Sequence, residues 1–200
     1  MISISRRFLL VSSALAISGC AALPGGGPAP LDTFDLQAVD VESTPARRSR
    51  VQLLVAEPTA LKTIDSENIV IRPTGATLEY LKGAQWADRL PRLVQAKLVE
   101  ALQGSGRFGG VGKPGEGLAI DYQLATEVRA FGIQLDGTPR AEVRLHVKLL
   151  NDRNGVVRAE RTFSAEAAMN GTGNNAYVAA LDRAFADVTR QIVGWTLGST

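Results

Sequence analysis

Between positions 118 and 166 the apolar residues fall on every second position, in three runs separated by turn signals. Leu118, Ile120, Tyr122, Leu124 and Val128 alternate with Asp121, Gln123, Glu127 and Arg129. Ala141, Val143, Leu145, Val147 and Leu149 alternate with Glu142, Arg144, His146 and Lys148. Val157, Ala159, Phe163 and Ala165 alternate with Arg158, Glu160, Thr162 and Glu166. A period of two puts successive side chains on opposite faces, so each run predicts a half-buried strand. Asp136-Gly137 and the stretch from Asp152 to Gly155 supply the turns of an antiparallel meander, with one apolar face and one charged face in water. Phe131, Ile133 and Leu135 switch the apolar parity, which predicts a bulge or bend near Ala130 to Gly132.

Shorter signals precede the meander. Thr33 to Ala38 predicts a short strand, Val51 to Ala56 a core strand ended by Pro58, and Ile69 to Ile71 another stopped at Pro73. Ala76 to Leu81 continues as a short extended piece. Two stretches follow the helical period instead. From Asp88 to Gln103, Leu90, Leu93, Val94, Leu98, Ala101 and Leu102 share a face; Asp88 is placed as the N-cap, Pro91 in the first turn and Gly104 as the stop. From about Asn174 to Leu197, a stripe of Tyr177, Leu181, Ala184, Phe185, Val188, Ile192 and Trp195 is suited to packing on the sheet. The expected fold is a single α+β domain, an antiparallel sheet with two long helices packed on one face.

The chain start follows another plan. Arg6 and Arg7 precede an apolar run from Phe8 to Ile17, and the small residues Ser18 and Gly19 precede Cys20. This is the layout of a secretory signal, and its apolar run is too short to span a bilayer, which takes ~20 helical residues. Ile17-Ser-Gly-Cys20 resembles the lipobox of bacterial lipoproteins. The resemblance implies removal of residues 1–19 as a lipoprotein signal peptide and attachment of acyl and diacylglycerol groups, palmitate among them, to Cys20. Residues 20–33 are then the lipidated cysteine and a Gly/Pro-rich tether, and residues 34–200 the α+β domain. The tether from Ala21 to Thr33 reaches at most ~43 Å extended and spans ~20 Å as a coil. Ala21, standing where lipoproteins kept at the inner membrane carry aspartate, points to the periplasmic face of the outer membrane.

Charge and residue chemistry narrow the function. The full chain has 22 Lys+Arg and 20 Asp+Glu, and loss of Arg6 and Arg7 equalises them, which argues against a nucleic-acid binder. Arg47, Arg48 and Arg50 cluster in what reads as a solvated segment, contact with phosphate headgroups being left open. With the single cysteine taken by the anchor, no thiol remains for a disulfide or a thiolate metal site, and no metal or dissociable cofactor is expected. His146, the sole histidine, falls on the polar face of its strand, and no Gly-x-Ser-x-Gly elbow is present. Gly104-Ser-Gly-Arg-Phe-Gly109 matches the G-x-G-x-x-G string, yet a helix precedes it and a Gly/Pro loop follows. The pyrophosphate site needs a strand before that string and a helix start after it. These readings point away from an enzyme.

The most distinctive segment runs from Tyr80 through Trp86, Asp88, Leu90-Pro91, Leu93 and Val94 to Leu98. It resembles the ABC-type transport auxiliary lipoprotein family, in which a Tyr, a Trp and a Leu-Pro pair lead into the first helix, and the likeness extends over roughly Phe34 to Leu197. The resemblance implies a non-enzymatic lipoprotein subunit, anchored in the outer membrane, that docks an MCE-domain protein and an ABC permease/ATPase complex moving lipids or hydrophobic molecules between membranes. It leaves room for a homo-oligomer around the lipid path. Tyr80 and Trp86 are either corner packing or partner contacts, and Trp195, near the end of the last helix, is a third contact candidate. An envelope-assembly or β-barrel-associated structural lipoprotein is the alternative reading.

Overall fold

The computed structural model describes residues 30–41 and 49–200, and every element lies in one unit, Leu31–Thr200. Five strands, β1 (Asp32–Phe34), β2 (Gln52–Val55), β3 (Thr59–Ala60), β4 (Asn68–Thr74) and β5 (Thr77–Trp86), precede helix α1 (Leu90–Gly104). Strands β6 (Gly110–Gly112), β7 (Tyr122–Gln134), β8 (Arg140–Asn151) and β9 (Val157–Ala168) lead to helix α2 (Asn174–Ser199). The α+β class agrees with the sequence pattern, and β7, β8 and β9 form the expected antiparallel meander.

The sheet is organised around β7. It pairs with β8 from Tyr122 opposite Asn151 to Gln134 opposite Arg140. It also pairs, in succession and always in parallel, with β2 at Tyr122 to Leu124, β3 at Glu127 to Val128 and β4 at Gly132 to Gln134. Further parallel pairs join β1 to β5 and β2 to β6, while β4 and β5 are antiparallel. The sheet is therefore mixed, which corrects the expectation of an antiparallel one. Alternation reports which face of a strand is buried; it carries no record of which distant strand lies alongside, or in which direction. Gly132 shows how close the β4 join is, since a Cβ there would lie 2.8 Å from the Val70 carbonyl oxygen.

The parity switch has the expected cause, one residue earlier than expected. Val128 faces Leu145 and Ala130 faces Arg144, so Arg129 is the extra residue of a β-bulge. The bulge returns Phe131 and Ile133 to the buried face already occupied by Leu124 and Val128. On that face lie both helices; of the α2 stripe Leu181, Ala184, Phe185, Val188 and Ile192 are buried, and Tyr177 and Trp195 partly so. Phe131 links the layers, its ring 5.9 Å from Trp86 and 5.8 Å from Phe185.

Other boundaries moved for local reasons. The first strand stops at Phe34, because the chain then straps across the helices with Leu36 and Val39 buried. Arg89, not Asp88, is the N-cap of α1, and it makes no side-chain cap. None is needed: Leu90 N–H donates to the Ser66 carbonyl at 3.0 Å, Pro91 has no N–H, and Arg92 N–H donates to the Arg89 carbonyl at 2.9 Å. The glycine string after α1 is a helix exit. Gly106 takes φ +65°, and a Cβ on Gly109 would lie 2.7 Å from the Arg50 carbonyl oxygen. β6 forms inside the segment read as a Gly/Pro loop.

The strap is tied to both helices. Lys97 of α1 pairs with Asp35 at 3.4 Å, Gln37 N–H donates to Asp182 Oδ1 of α2 at 3.2 Å, and Arg190 Nε donates to the Asp40 carbonyl at 3.4 Å. Burial raises the Asp182 pKa, and Asp35 adds to the rise; the Gln37 N–H, Lys97 and Arg183 oppose it. A raised folded pKa means that ionised Asp182 costs stability at neutral pH, a cost that fades as pH falls from the folded pKa to below the unfolded one. Asp182→Asn keeps the acceptor for Gln37 and loses the charge. It should be the more stable protein at pH ~7, with the difference closing toward pH ~4, near the ordinary carboxylate value. Urea midpoints at both pH values check this, and a destabilised variant with a pH-independent difference would contradict it.

Candidate docking surface

Tyr80 and Trp86 both lie on β5, six positions apart, and the structure sends them to opposite environments. Val70 pairs with Tyr80 and Asn68 with Gln85, so β5 uses more residues than β4 over that interval. Gly83, at φ +72°, absorbs the irregularity. Trp86 consequently turns inward to 1% exposure, in the same core as Leu90 and Leu93. Its burial takes it out of the set of surface contacts and makes it the corner-closing residue. Tyr80 stays 42% exposed and, with Ile71, Glu79, Leu81, Lys82 and Asn174, lines a hollow of about 280 Å³. Asn174 Nδ2 donates to the Lys82 carbonyl at 3.2 Å, fastening the start of α2 to this part of β5. Trp195 is partly buried, its ring 5.6 Å from Phe163 and edge-on, so it packs on the sheet with the rest of its stripe. Cys20, Arg47 and Arg48 lie outside the described residues.

The entrance to α1 contains a cluster that the sequence reading missed. Arg89 Nε donates to Asp65 Oδ1 at 2.8 Å, Nη2 closes on the same carboxylate, and Nη1 reaches Glu57 Oε1 at 3.1 Å. The Asp65 hydrogen bond is the main cause of a raised Arg89 pKa. Arg92 adds a 3.7 Å contact to Asp88 and one of 4.0 Å to Glu57. This arginine thus joins the connections before β3 and before β4 to the helix start, and so positions the segment carrying Trp86 and Leu90. Its acceptors are 24 and 32 residues away, beyond any local spacing signal.

The open face of the meander is a lattice of opposite charges. Arg129 pairs with Glu127 at 2.9 Å, Arg140 with Glu166 at 3.1 Å, Arg144 with Glu142, and Lys148 with Glu160 at 3.9 Å. His146 sits within it: Nδ1 shares a 3.0 Å hydrogen bond with Thr162 Oγ1, and Nε2 lies 3.8 Å from Glu160. A groove of about 380 Å³ beside it is lined by Ala56, Glu57, Gln123, Glu127, His146 and Lys148, among others. The lining mixes both signs, and the Thr162 hydroxyl also accepts from Arg129 at 3.4 Å. Among the described residues no group of three or more His, Cys, Asp or Glu side chains is placed to hold a metal ion. No helix among them is long and apolar enough to cross a membrane.

The sequence model of the family described as ABC-type transport auxiliary lipoprotein component matches residues 34–193. An uncharacterized protein of Bradyrhizobium diazoefficiens is 30% identical over 182 residues, 90% of this chain and 49% of the relative. The chain therefore spans about half the length of that curated relative. The crystal structure of a Xanthomonas campestris protein superposes with a TM-score of 0.77 at 35% identity, covering 84% of this chain and 95% of that one. A hypothetical protein of Chlamydia trachomatis shares the fold at a TM-score of 0.54 and 11% identity, over 76% of this chain and 98% of its own.

Proposed function

The chain belongs to the ABC-type transport auxiliary lipoprotein family, and from that premise we propose that it is a non-enzymatic subunit of a system moving lipids or other hydrophobic molecules between the inner and outer membranes. Acyl and diacylglycerol groups on Cys20 hold it at the periplasmic face of the outer membrane. The folded domain docks an MCE-domain protein, which an ABC permease and ATPase serve from the inner membrane. Several copies around the lipid path are compatible with this role. The observation that carries the reading is the family match over residues 34–193, nearly the whole folded unit. Tyr80 supplies the docking contact, an exposed aromatic residue that lines the hollow with Ile71, Leu81 and Lys82. Such rings with a polar tip are favoured at protein interfaces because they bury a large area and still satisfy a hydroxyl.

Capture through a C-terminal tag from crosslinked native membranes should recover an MCE-type protein together with the permease. Tyr80→Ala should cut that recovery severalfold while changing stability by no more than ~0.5 kcal/mol, as expected for a surface site. Consistent absence of an MCE protein would overturn the reading. Recovery of an outer-membrane β-barrel in its place would favour the structural-lipoprotein alternative.

A further inference from the structure

At the end of the sheet where β7 begins and β8 ends there is a cleft of about 440 Å³, lined in part by Arg50, Asp121, Tyr122, Asn151 and Arg153. We infer that this cleft takes the phosphate of an anionic lipid headgroup, so that the folded domain has a membrane contact of its own besides the anchor.

The electrostatics favour an anion in spite of the carboxylate. Asp121 Oδ2 accepts the Gln52 N–H at 3.0 Å, and Oδ1 lies 3.5 Å from an Arg153 Nη2, so this charge is already engaged. Arg153 remains 81% exposed, and that single long contact leaves most of its five donors unused. Arg50, exposed on the other wall, has no carboxylate within ion-pair distance among the described residues. Two guanidinium groups at one cleft suit phosphate, whose oxygens accept their forked donors. Arg158 is exposed just beyond the turn, and exposed Asp152 stands against these three.

A second feature decides the source of the phosphate. The turn between β8 and β9 closes with Asn151 N–H donating to the Val156 carbonyl at 2.9 Å, so the cleft wall and the turn are one piece of backbone. Val156 in that turn is 59% exposed and Val157, the first residue of β9, 44%, two of the few large apolar residues left in water among the described residues. A free phosphate would make no use of them. At a bilayer, arginines meet the headgroups while adjacent apolar side chains leave water at the acyl boundary.

This contact needs no transport partner, so it can be tested on the folded unit alone. Leu31–Thr200 contains every core residue found among the described residues, and the Xanthomonas relative crystallised as a chain of which 95% is covered by this fold. The purified fragment should co-sediment with phosphatidylcholine vesicles containing phosphatidylglycerol, and much less with phosphatidylcholine alone. Added salt should weaken the binding. Arg50→Glu and Arg153→Glu should each weaken it by about fivefold or more, the equivalent of ~1 kcal/mol per basic residue at an anionic surface. Val156→Ser with Val157→Thr should weaken it on the same vesicles. Both arginines lie outside the core, and unchanged melting of the variants verifies the fold. Equal binding to both vesicle types, or indifference to the charge reversals, would overturn the inference. Arginine-dependent binding of inorganic phosphate without vesicle binding would also overturn it, by assigning the cleft to a free anion. A failed capture of the MCE protein leaves this result untouched.

Discussion

Trp86→Ala should destabilise the domain by about 3–5 kcal/mol, the cost of truncating a large buried aromatic ring. The ring is 1% exposed and meets Phe131 edge-on at 5.9 Å, and Phe131 in turn meets Phe185 at 5.8 Å. Removing Trp86 therefore opens a cavity where the sheet, the α1 entrance and α2 come together, which the surrounding strands cannot easily fill. For a domain of this size the loss corresponds to a fall in Tm of roughly 6–20 °C. Since whole domains are stable by only about 5–15 kcal/mol, a large part of the folding free energy depends on this one side chain. The urea midpoint should drop with little change in slope. Tyr80→Ala, six positions earlier on the same strand, should leave the midpoint nearly unmoved. If Trp86→Ala behaved like Tyr80→Ala in denaturation, the inward placement of the ring would be wrong.

That contrast shows where sequence reading stops. Alternation along β7, β8 and β9 revealed the buried face, the turns and the bulge to within one residue, because each is written into neighbouring positions. The stripe on α2 was equally legible. The parallel joins of β7 to β2, β3 and β4 were not, since they pair segments far apart in the chain. Tyr80 and Trp86 read alike as two aromatics before a helix; the irregular β4–β5 pairing at Gly83 separates them, and only three-dimensional register shows it. Arg89 carries no local signal of its role, because its acceptors Asp65 and Glu57 arrive from two other connections. The cleft of Arg50 and Arg153 is of the same kind: two exposed arginines about a hundred positions apart, brought together where β7 and β8 meet.

Cys20→Ala should have the largest effect on the protein in the cell, and it tests the anchor independently of the fold. On the reading proposed above, Cys20 is the acylated first residue of the mature chain. Each buried CH₂ contributes ~0.8 kcal/mol, and about two chains suffice for stable attachment. The wild-type chain should thus have the mass of residues 20–200 plus acyl and diacylglycerol groups, and should sediment with the outer-membrane fraction through high-salt washing. The alanine variant has no thiol to modify, so its signal should stay uncleaved and Arg6 and Arg7 should remain at its start. It should incorporate no labelled palmitate and be lost from the outer membrane. Mass spectrometry is the better readout, because the retained apolar run from Phe8 to Ile17 can itself hold a precursor on a membrane. A variant of processed mass that still reached the outer membrane would refute the anchor at Cys20. The cleft with Arg50 and Arg153 sets a further limit: headgroup contact there is weakened by salt, whereas acyl anchoring is not. High-salt washing should therefore release any variant held by the cleft alone while leaving the lipidated wild-type chain in place.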